Sequence, residues 1–347
     1  MGYRKIGLIF GGKSAEHDVS IMSARSVYKE LLNTEFQVVP ILINKEGYWI
    51  DLETSKKVIE GEIAHTKTIN SKFQTVFDSL VNNFPEDIDL VFPLMHGPFG
   101  EDGKIQGFFD VLDIPYVGAG TAASAVSMDK IYSKNIINKY NLPQTEYITI
   151  SEKDWAKSDD DDQVLKLKRK ITEKISYPLF VKPANLGSSI GISRVTSEDE
   201  VGLAIDLALK YDNRILIEAA VTGREIECSV LETAEGCISS MPGEIIPAND
   251  FYDYDAKYFS DNTVLVTPAE LNDELAEEVR YLAEKTFQLI NCSGLARIDF
   301  FLDNKNNILI NEINTMPGFT PKSMYARMWE ASGLDYSELL QKIIEIS

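Results

Sequence analysis

Short apolar runs alternate with segments of helical spacing along the first third of the chain. Residues 5–10 are an apolar run that ends at Gly11 and Gly12, which predicts a buried strand followed by a tight turn. Apolar residues then recur at helical spacing over 20–32, behind Ser20, a residue type that caps helix N-termini. Three further strands are predicted by the apolar runs at 36–43, 88–94 and 114–117. Strands that alternate with helices indicate a first domain built on a parallel sheet.

The pattern changes near residue 145, where extended segments become more frequent than helical ones. The extended segments lie at 145–150, 179–182, 190–195, 215–219 and 225–231. Together with a helical stretch at 198–211 they indicate a smaller α+β unit, and a long amphipathic helix is predicted at 271–289. The last two strands, at 296–302 and 308–313, flank the turn-forming sequence Asp-Asn-Lys-Asn-Asn, which predicts a β-hairpin.

Composition and charge exclude several classes of protein. The 347 residues include 34 Lys and Arg against 54 Asp and Glu, a formal net charge of -20, whereas nucleic-acid and anionic-membrane binders present a basic surface. Three scattered cysteines argue against a disulfide framework, and the sequence shows neither a membrane-spanning apolar run nor a signal-peptide pattern. We therefore expect a cytoplasmic protein without nucleic-acid or membrane partners.

Two glycine-rich patterns match phosphate-binding motifs but do not fit their structural context. The sequence from Gly7 to Ser14 matches the P-loop pattern, including Lys13, yet residues 8–10 continue the predicted first strand and leave too short a loop to cradle phosphates. The second pattern, at 118–123, follows a later strand than the dinucleotide-binding fingerprint does, and it lacks the acidic residue expected about 20 positions further on. Both patterns are interpreted as structural turns.

The most informative pattern lies in the predicted C-terminal hairpin. Side chains two apart on a strand share a face, so Arg297 projects with Asp299, and Glu312 projects with Asn314 on the neighbouring strand. Two carboxylates and an amide oxygen beside an arginine are the hard ligands that Mg²⁺ uses when it also binds phosphates. A hairpin with solvated charges is the alternative, but the flanking apolar residues indicate that this strand pair is buried.

Two further segments suggest nucleotide binding. Lys182 ends an apolar strand and precedes a loop of small residues with two hydroxyls, an arrangement suited to a triphosphate. After the strand that contains Glu218, a free backbone edge and a second acid at Glu225 suit adenine and ribose. On its own this last signal is weak.

Eight segments, in the same order along the chain, resemble the ATP-grasp superfamily and, within it, the D-alanine–D-alanine ligase family. The resemblance extends over nearly the whole chain. The segments span residues 10–20, 96–103, 127–130, 182–191, 223–225, 254–258, 297–299 and 312–320. Gly-Gly-Lys-Ser-Ala-Glu follows the first predicted strand, and His-Gly-Pro-Phe-Gly-Glu-Asp-Gly follows the third. Glu-Ile-Asn-Thr-Met-Pro-Gly-Phe-Thr begins in the last predicted strand and continues beyond it.

This resemblance implies an ATP-grasp fold that combines α/β and α+β parts. It implies an N-terminal parallel-sheet α/β substrate domain at 1–124 and a small central α+β subdomain at 125–222. The C-terminal α+β domain, at 223–347, would be catalytic and metal-binding. A tyrosine-rich loop at 250–261 would form a lid that excludes water from the substrates.

The resemblance also implies the reaction. ATP would phosphorylate the carboxylate of a first D-alanine, and the amine of a second D-alanine would attack the acyl phosphate to form D-alanyl-D-alanine for peptidoglycan precursor synthesis. ATP would be the co-substrate, and the cofactors would be two Mg²⁺ ions, with Mn²⁺ as an alternative metal. The enzyme would be a homodimer. The alternatives are a D-alanine–D-serine or D-alanine–D-lactate ligase of the same family and, remotely, a P-loop NTPase.

The site residues implied by the resemblance fall into four groups. The catalytic residues would be Glu16, Ser188, Tyr258, Arg297 and Gly318. ATP would be bound by Lys130, Lys182, Glu218, Ala219, Val221, Glu225 and Lys257. The substrates would contact Glu16, His96, Ser323 and Met324, with Glu101 in support, and the metal ligands would be Asp299, Glu312 and Asn314. The neutral Tyr258 and the apolar Met324 favour D-alanine over D-lactate or D-serine as second substrate.

Overall fold

The computed structural model describes residues 4–64, 70–156, 161–187, 190–247 and 263–347, with side chains for all of these except 156 and 161–166. The predicted site residues Ser188, Lys257 and Tyr258, and the predicted lid at 250–261, lie outside the described residues. Within the described ranges the chain folds around three β-sheets. No helix in these ranges has both the length and the apolar character needed to cross a membrane.

The first unit is a three-stranded parallel sheet. Its strands are β1 Lys5–Gly11, β2 Gln37–Ile43 and β3 Leu90–Pro93, in the order β2–β1–β3. Its helices are α1 His17–Leu31, α2 Leu52–Ile59, α3 Val76–Asn83, α4 Lys104–Val111 and α5 Thr121–Met128. The unbroken apolar run of β1 is buried from its second residue onward, as a central parallel strand covered on both faces requires.

The predicted cap of α1 is wrong. The helix begins at His17, so Ser20 lies within its first turn instead of preceding it. The buried Ser20 hydroxyl accepts the Gly11 N–H (2.8 Å) and donates to the Leu94 carbonyl (2.6 Å). A serine at the start of an apolar helical pattern is therefore used here to join the helix to two strand ends.

The sheet also decides between the interpretations of the glycine-rich patterns. Residues 8–10 lie inside β1, so the P-loop pattern has no phosphate-binding loop, and Lys13 is exposed beyond the strand. The predicted strand at 114–117 is reduced to a single parallel bridge between Val91 and Tyr116. Gly120 after it caps α5, which confirms a structural turn at this position.

The second unit is a four-stranded antiparallel sheet. Its strands are β4 Tyr147–Ser151, β5 Leu179–Pro183, β6 Ser193–Val195 and β7 Arg214–Ala219, in the order β4–β7–β5–β6. Its helices are α6 Lys130–Lys139, α7 Glu152–Ala156, α8 Asp161–Lys174 and α9 Val201–Ala208. Apolar side chains of the four strands pack with those of α8 and α9 in one core cluster.

The third unit is a six-stranded antiparallel sheet. Its strands are β8 Gly223–Thr233, β9 Gly236–Ser239, β10 Gly243–Ile246, β11 Val264–Val266, β12 Leu295–Asp303 and β13 Ile308–Asn314. Their order is β11–β10–β8–β12–β13, and β9 pairs with β8. The helices are α10 Asp273–Leu289, α11 Met324–Ala331 and α12 Tyr336–Glu345. The predicted combination of a parallel α/β unit with two α+β units is confirmed.

The core of the first unit is closed by residues from the far end of the chain. One cluster of buried apolar side chains contains Leu8 of β1 together with Leu340 and Ile344 of α12. Phe319 belongs to the same cluster, and its ring lies 5.9 Å from that of Phe92 in an edge-on contact. This core therefore takes in residues of the first and the third predicted domain. The predicted boundaries at 124 and 222 stay a prediction.

Replacing Leu340 with alanine tests whether α12 belongs to this core. Leu340 is fully buried, and a leucine-to-alanine change in a core lowers the free energy of unfolding by about 2–5 kcal/mol. We expect amide hydrogen exchange in β1, measured by mass spectrometry, to accelerate in Leu340→Ala. The control Leu203→Ala removes an exposed side chain of α9 and should leave β1 unaffected. Equal protection of β1 in wild type and Leu340→Ala would contradict the shared core.

Candidate active site

The predicted hairpin forms, and its register places the predicted metal ligands side by side. In the antiparallel pair β12–β13, Arg297 lies opposite Asn314 and Asp299 lies opposite Glu312. The register shifts immediately afterwards, between Asp299 and Phe300. Cβ atoms of directly opposite residues are ~4.5–5.5 Å apart, so three oxygen-bearing side chains and a guanidinium share one small surface.

Arg297 is held in place by two carboxylates. Its Nε and Nη2 donate to Oδ1 and Oδ2 of Asp299 at 2.7 and 2.8 Å, and Nε lies 3.1 Å from Oε2 of Glu227 on β8. Burial lowers the pKa of Arg297, but Asp299, Glu227 and Glu312 outweigh it and raise the pKa well above its ordinary value. Glu227 was not predicted, although its position two residues after Glu225 on one strand is a signal for it. The guanidinium therefore stays charged with its direction fixed.

The residues at this surface fit a magnesium ion. Asn314 donates its amide N–H to Oδ2 of Asp299 (2.9 Å), so its amide oxygen is the atom that suits a cation. With the carboxylates of Asp299 and Glu312 the ligand atoms are all oxygens, as Mg²⁺ prefers. Among the described residues no three His, Cys, Asp or Glu side chains gather as a metal site, and the predicted set consists of two carboxylates and one amide. The ligand roles stay a prediction.

A cavity of about 500 Å³ lies where residues of the three units meet. The predicted site residues that line it are Glu16, His96, Glu101, Lys130, Arg297, Glu312, Asn314, Gly318, Ser323 and Met324. The described site residues outside this lining are Lys182, Glu218, Ala219, Val221, Glu225 and Asp299. The cavity thus brings together the predicted substrate-binding residues, whereas most predicted nucleotide-binding residues lie beyond it.

Glu16 directly precedes α1, and its carboxylate lies close to the second unit. The residue is buried, and its side chain makes no capping hydrogen bond to the helix. A Cβ added at Gly97 would collide with Oε2 of Glu16, and a Cβ at Gly187 would lie 3.6 Å from the same atom. Gly97 therefore makes room for this carboxylate, whereas a Cβ at Gly187, which directly precedes Ser188 in the sequence, would be in ordinary contact with it. The predicted link between Glu16 and Ser188 stays a prediction.

The loop after β13 is held by hydrogen bonds from the first unit. The carbonyl of Met316 lies 2.9 Å from Nδ1 of His96, which must therefore donate a proton to it. Nε2 of the same ring lies 3.1 Å from Oγ of Ser23, which also accepts the Phe319 N–H at 3.3 Å. These bonds bracket Gly318, the predicted oxyanion donor. His96 thus fixes this loop, and its predicted contact with substrate stays a prediction.

Glu101 lies on the same side of the cavity as Glu16. It accepts the N–H groups of Gly97 (2.5 Å) and Met316 (3.3 Å). Burial and, after it, the charge of Glu16 raise the pKa of Glu101 to about 8. Burial also lowers the pKa of His96. Near pH 7 this wall of the cavity therefore presents a neutral carboxyl group and a neutral imidazole.

The residues predicted for the second substrate lie at the N-terminus of α11. Ser323 is the N-cap residue, and its Oγ accepts the Thr320 N–H (3.0 Å) and lies 2.8 Å from the Thr320 hydroxyl. Met324, the first residue of the helix, is buried beside Ile245 and Met328. The helix N-terminus attracts a carboxylate, and the apolar side chain beside it suits a methyl group.

On the nucleotide side, Lys130 joins α6 to the loop that follows β5. Its backbone N–H donates to the Ala184 carbonyl (3.0 Å) and its Nζ to the Leu186 carbonyl (2.6 Å). Of the predicted adenine-side residues, Ala219 ends β7, Val221 lies in the connection that follows, and Glu225 lies on β8. Their contacts with a nucleotide stay a prediction.

The surroundings of Glu218 differ from those expected of an adenine-binding residue. Glu218 is buried, and its carboxylate forms ion pairs with Lys182 and with Nζ of Lys134, the latter at 2.9 Å. Lys134 was not predicted as a site residue, although it lies one helical turn after Lys130 on the same face of α6. Glu218 is thus a partner of two lysines, and its predicted contact with adenine stays a prediction.

The chain is similar to known proteins over its whole length. The family described as D-ala D-ala ligase N-terminus matches residues 5–119, and the one described as D-ala D-ala ligase C-terminus matches residues 136–345. A D-alanine–D-alanine ligase of Halothermothrix orenii is 44% identical, covering 100% of this chain and 99% of the relative. That of Bacillus licheniformis is 42% identical, covering 99% and 95%.

Two solved structures share the fold. One is the VanG D-Ala:D-Ser ligase from Enterococcus faecalis, with a TM-score of 0.83 and 30% identity over 99% of each chain. The other is the D-alanine-D-alanine ligase from Coxiella burnetii, with a TM-score of 0.80 and 34% identity over 100% of this chain and 94% of that one. Similarity in fold therefore accompanies similarity in sequence.

The raised pKa of Glu101 predicts a pH-dependent stability. Folded, Glu101 keeps its proton up to about pH 8, whereas an ordinary glutamate loses it near 4.5. Between these values the folded state binds more protons than the unfolded state, so this group's contribution falls as pH rises, by at most about 1.4 kcal/mol per pH unit. The variant Glu101→Gln has no titratable carboxyl group at this position. We expect its melting temperature, relative to wild type, to increase steadily across this range, and a constant difference would contradict the raised pKa.

Proposed function

The chain belongs to the D-alanine–D-alanine ligase family, and from this membership we propose how its residues perform the reaction. It is an ATP-dependent ligase that joins two D-alanine molecules through an acyl phosphate, releasing ADP and phosphate, in peptidoglycan precursor synthesis. The observation that best supports the assignment of residues is the cavity at which Glu16, Arg297 and Ser323 meet. These three suit the ammonium of one amino acid, the developing negative charge and the carboxylate of the other.

The metal ligands are Asp299, Glu312 and Asn314. By family resemblance two Mg²⁺ ions bind here, and Mn²⁺ can replace them. When bound, the metal supplies positive charge that neutralises the transferring phosphoryl group. The register of β12 and β13 supports this assignment because it places all three side chains on one surface. Their ligand atoms are the hard oxygens that such an ion needs.

Arg297 and the Gly318 N–H stabilise the negative charge that develops on the reacting carboxylate oxygens. Arg297 is suited to this because Asp299 and Glu227 fix its direction before substrate arrives. Gly318 is suited to it because its loop is fixed by His96 and Ser23. A preorganised donor of this kind contributes roughly 3–4 kcal/mol in acyl-transfer chemistry.

Each amino acid substrate has its own end of the cavity. Glu16 binds the ammonium of the first D-alanine by a charge-assisted hydrogen bond, and neutral Glu101 limits the repulsion that a second carboxylate beside it would cause. Ser323 and the Met324 N–H bind the carboxylate of the second D-alanine at the N-terminus of α11. Met324 packs against the methyl group.

Nucleotide binding is assigned to residues of the second unit and its neighbours. Lys130 and Lys182 contact phosphate oxygens, and adenine and ribose lie along Glu218, Ala219, Val221 and Glu225. The proposed lid at 250–261 adds Lys257 to the phosphates. Ser188 and Tyr258 extend the network from Glu16 and position the second amine, as the family resemblance implies.

The apolar surroundings of Met324 favour D-alanine over D-serine as second substrate. Its neighbours Ile245, Met328 and Leu265 have apolar side chains. A seryl hydroxyl placed against them would lose a hydrogen bond to water without replacement, which typically costs about 1–3 kcal/mol.

We further propose a cytoplasmic homodimer. The exposed Phe77 and Val81, one helical turn apart on α3, give an apolar surface of the kind that a second copy covers. The three cysteines are free thiols, as is usual in a reducing compartment. Light scattering of the purified protein, with Phe77→Ser as a variant, tests the dimer.

An assay of phosphate release from ATP in the presence of Mg²⁺ tests the proposed function. We expect release that depends on D-alanine and yields D-alanyl-D-alanine, with L-alanine inactive and D-serine and D-lactate poor as second substrates. Product analysis by mass spectrometry with D-alanine and D-serine present together separates the family alternatives. Mainly D-alanyl-D-serine in that mixture would overturn the assignment of Met324.

Glu312→Gln tests the metal assignment. An amide is a poorer ligand than a carboxylate for a hard cation, and metal binding supplies several kcal/mol to phosphoryl transfer. We therefore expect turnover to fall by roughly 100-fold or more, together with loss of the thermal stabilisation that Mg²⁺ and ATP give. The control is Lys13→Ala, which should keep its activity. Unchanged turnover of Glu312→Gln at saturating Mg²⁺ would contradict the assignment.

A further inference from the structure

A buried charged cluster of Lys134, Glu218 and Lys182 lies between α6 and the second sheet. Nζ of Lys134 lies 2.9 Å from Oε2 of Glu218, and Lys182 pairs with the other oxygen, Oε1. The hydroxyl of Thr145 accepts from Nζ of Lys134 (2.8 Å) and donates to Oε2 (2.9 Å). Both oxygens of the carboxylate are therefore engaged by protein groups.

The two lysines of the cluster differ in depth. The side chain of Lys134 is 2% exposed, whereas that of Lys182 is 11% exposed. Lys182 on β5 and Glu218 on β7 share a face of the sheet, since Phe180 lies opposite Glu218 and strand side chains alternate. Lys134 approaches from α6. Lys182 is therefore the most solvent-exposed member of the cluster.

The charges in the cluster do not balance. Two ammonium groups face a single carboxylate, so the three side chains together have one net positive charge. An excess charge at a buried site is costly unless an opposite charge meets it. The excess belongs to the cluster as a whole, and Lys182 is its more exposed lysine, so a polyanionic ligand would meet the excess charge there.

We propose that Lys134 is a positioning residue for the nucleotide: by neutralising Glu218 it leaves the charge of Lys182 to act on the phosphates. This rests on the proposed function, in which Lys182 contacts ATP. Without Lys134, Glu218 and Lys182 would remain as a neutral pair, and the net charge presented to the phosphates would fall from one to zero. Lys134 itself touches no substrate.

The experiment that tests this proposal separates recognition of the phosphates from recognition of adenine. Affinities for ATP and for adenosine are measured by calorimetry, and their ratio reports the phosphate contribution alone. The variant Lys134→Met removes the positive charge and keeps a side chain of similar length. We expect its ATP-to-adenosine ratio to fall on the order of tenfold, the equivalent of one charge-assisted interaction, and the KM for ATP to rise while the KM for D-alanine stays unchanged.

Two further variants control for charge. Lys134→Arg keeps the positive charge and should keep the ratio. The double variant Lys134→Met/Glu218→Gln also removes the carboxylate that neutralises Lys182 in the single variant, so the net charge of one returns and the ratio should be restored. Any contact of Glu218 with adenine shifts the affinities for ATP and adenosine alike and cancels.

The outcomes distinguish the proposal from a purely structural role. A ratio that is unchanged in Lys134→Met, with only a lower melting temperature, would overturn the proposal. A ratio that falls equally in the single and the double variant would also overturn it, since the effect would then not pass through Glu218. Failure of the proposed function is visible separately, as absence of D-alanine-dependent ADP formation in the unmodified enzyme.

Discussion

A charge buried in a protein interior needs an opposite charge beside it, and this constraint fixes how α6 packs against the second sheet of this enzyme. Asp129, at the N-terminus of α6, pairs with Arg214 at the start of β7, 85 residues away in the sequence. Further along the same helix, Lys134 pairs with Glu218 near the other end of the same strand. Two ion pairs at the two ends of β7 therefore hold the helix that leads out of the first unit against the second sheet.

Polar contacts between distant parts of the chain also build the cavity. Arg297 is directed by carboxylates on its own strand and on β8, while the loop after β13 is held by His96 and Ser23 from the first unit. Arg297 and the loop of Gly318, the groups proposed to meet the reacting atoms, are thus each fixed by contacts with neighbouring side chains. Such preorganisation means that little rearrangement is needed when charge develops. The arrangement of side chains around this cavity is therefore set by packing between units.

Sequence patterns suffice where the determining interactions are local. Strand alternation and turn chemistry predict the hairpin and its facing ligands, and the apolar run of β1 excludes a P-loop. Lys134 escapes such reasoning because a lysine on a helix is normally solvated, and its burial depends on Glu218 from a strand that comes much later. Ser20 is misassigned as a cap for the same reason, since its hydroxyl meets a carbonyl 74 residues away. The roles of Ser188 and Tyr258 stay predictions.

A ribosome delivers β1 long before it delivers the helix that covers it. The hydrogen bond between His96 and Met316 spans 220 residues, and Leu340 packs in the same cluster as Leu8. At roughly 5–20 residues per second, the apolar side of the first sheet stays uncovered for on the order of ten seconds or more during synthesis. Exposed apolar surface in a nascent chain is where aggregation begins and chaperones bind. The topology of this enzyme thus leaves the apolar core of its first unit incomplete until α12 has left the exit tunnel.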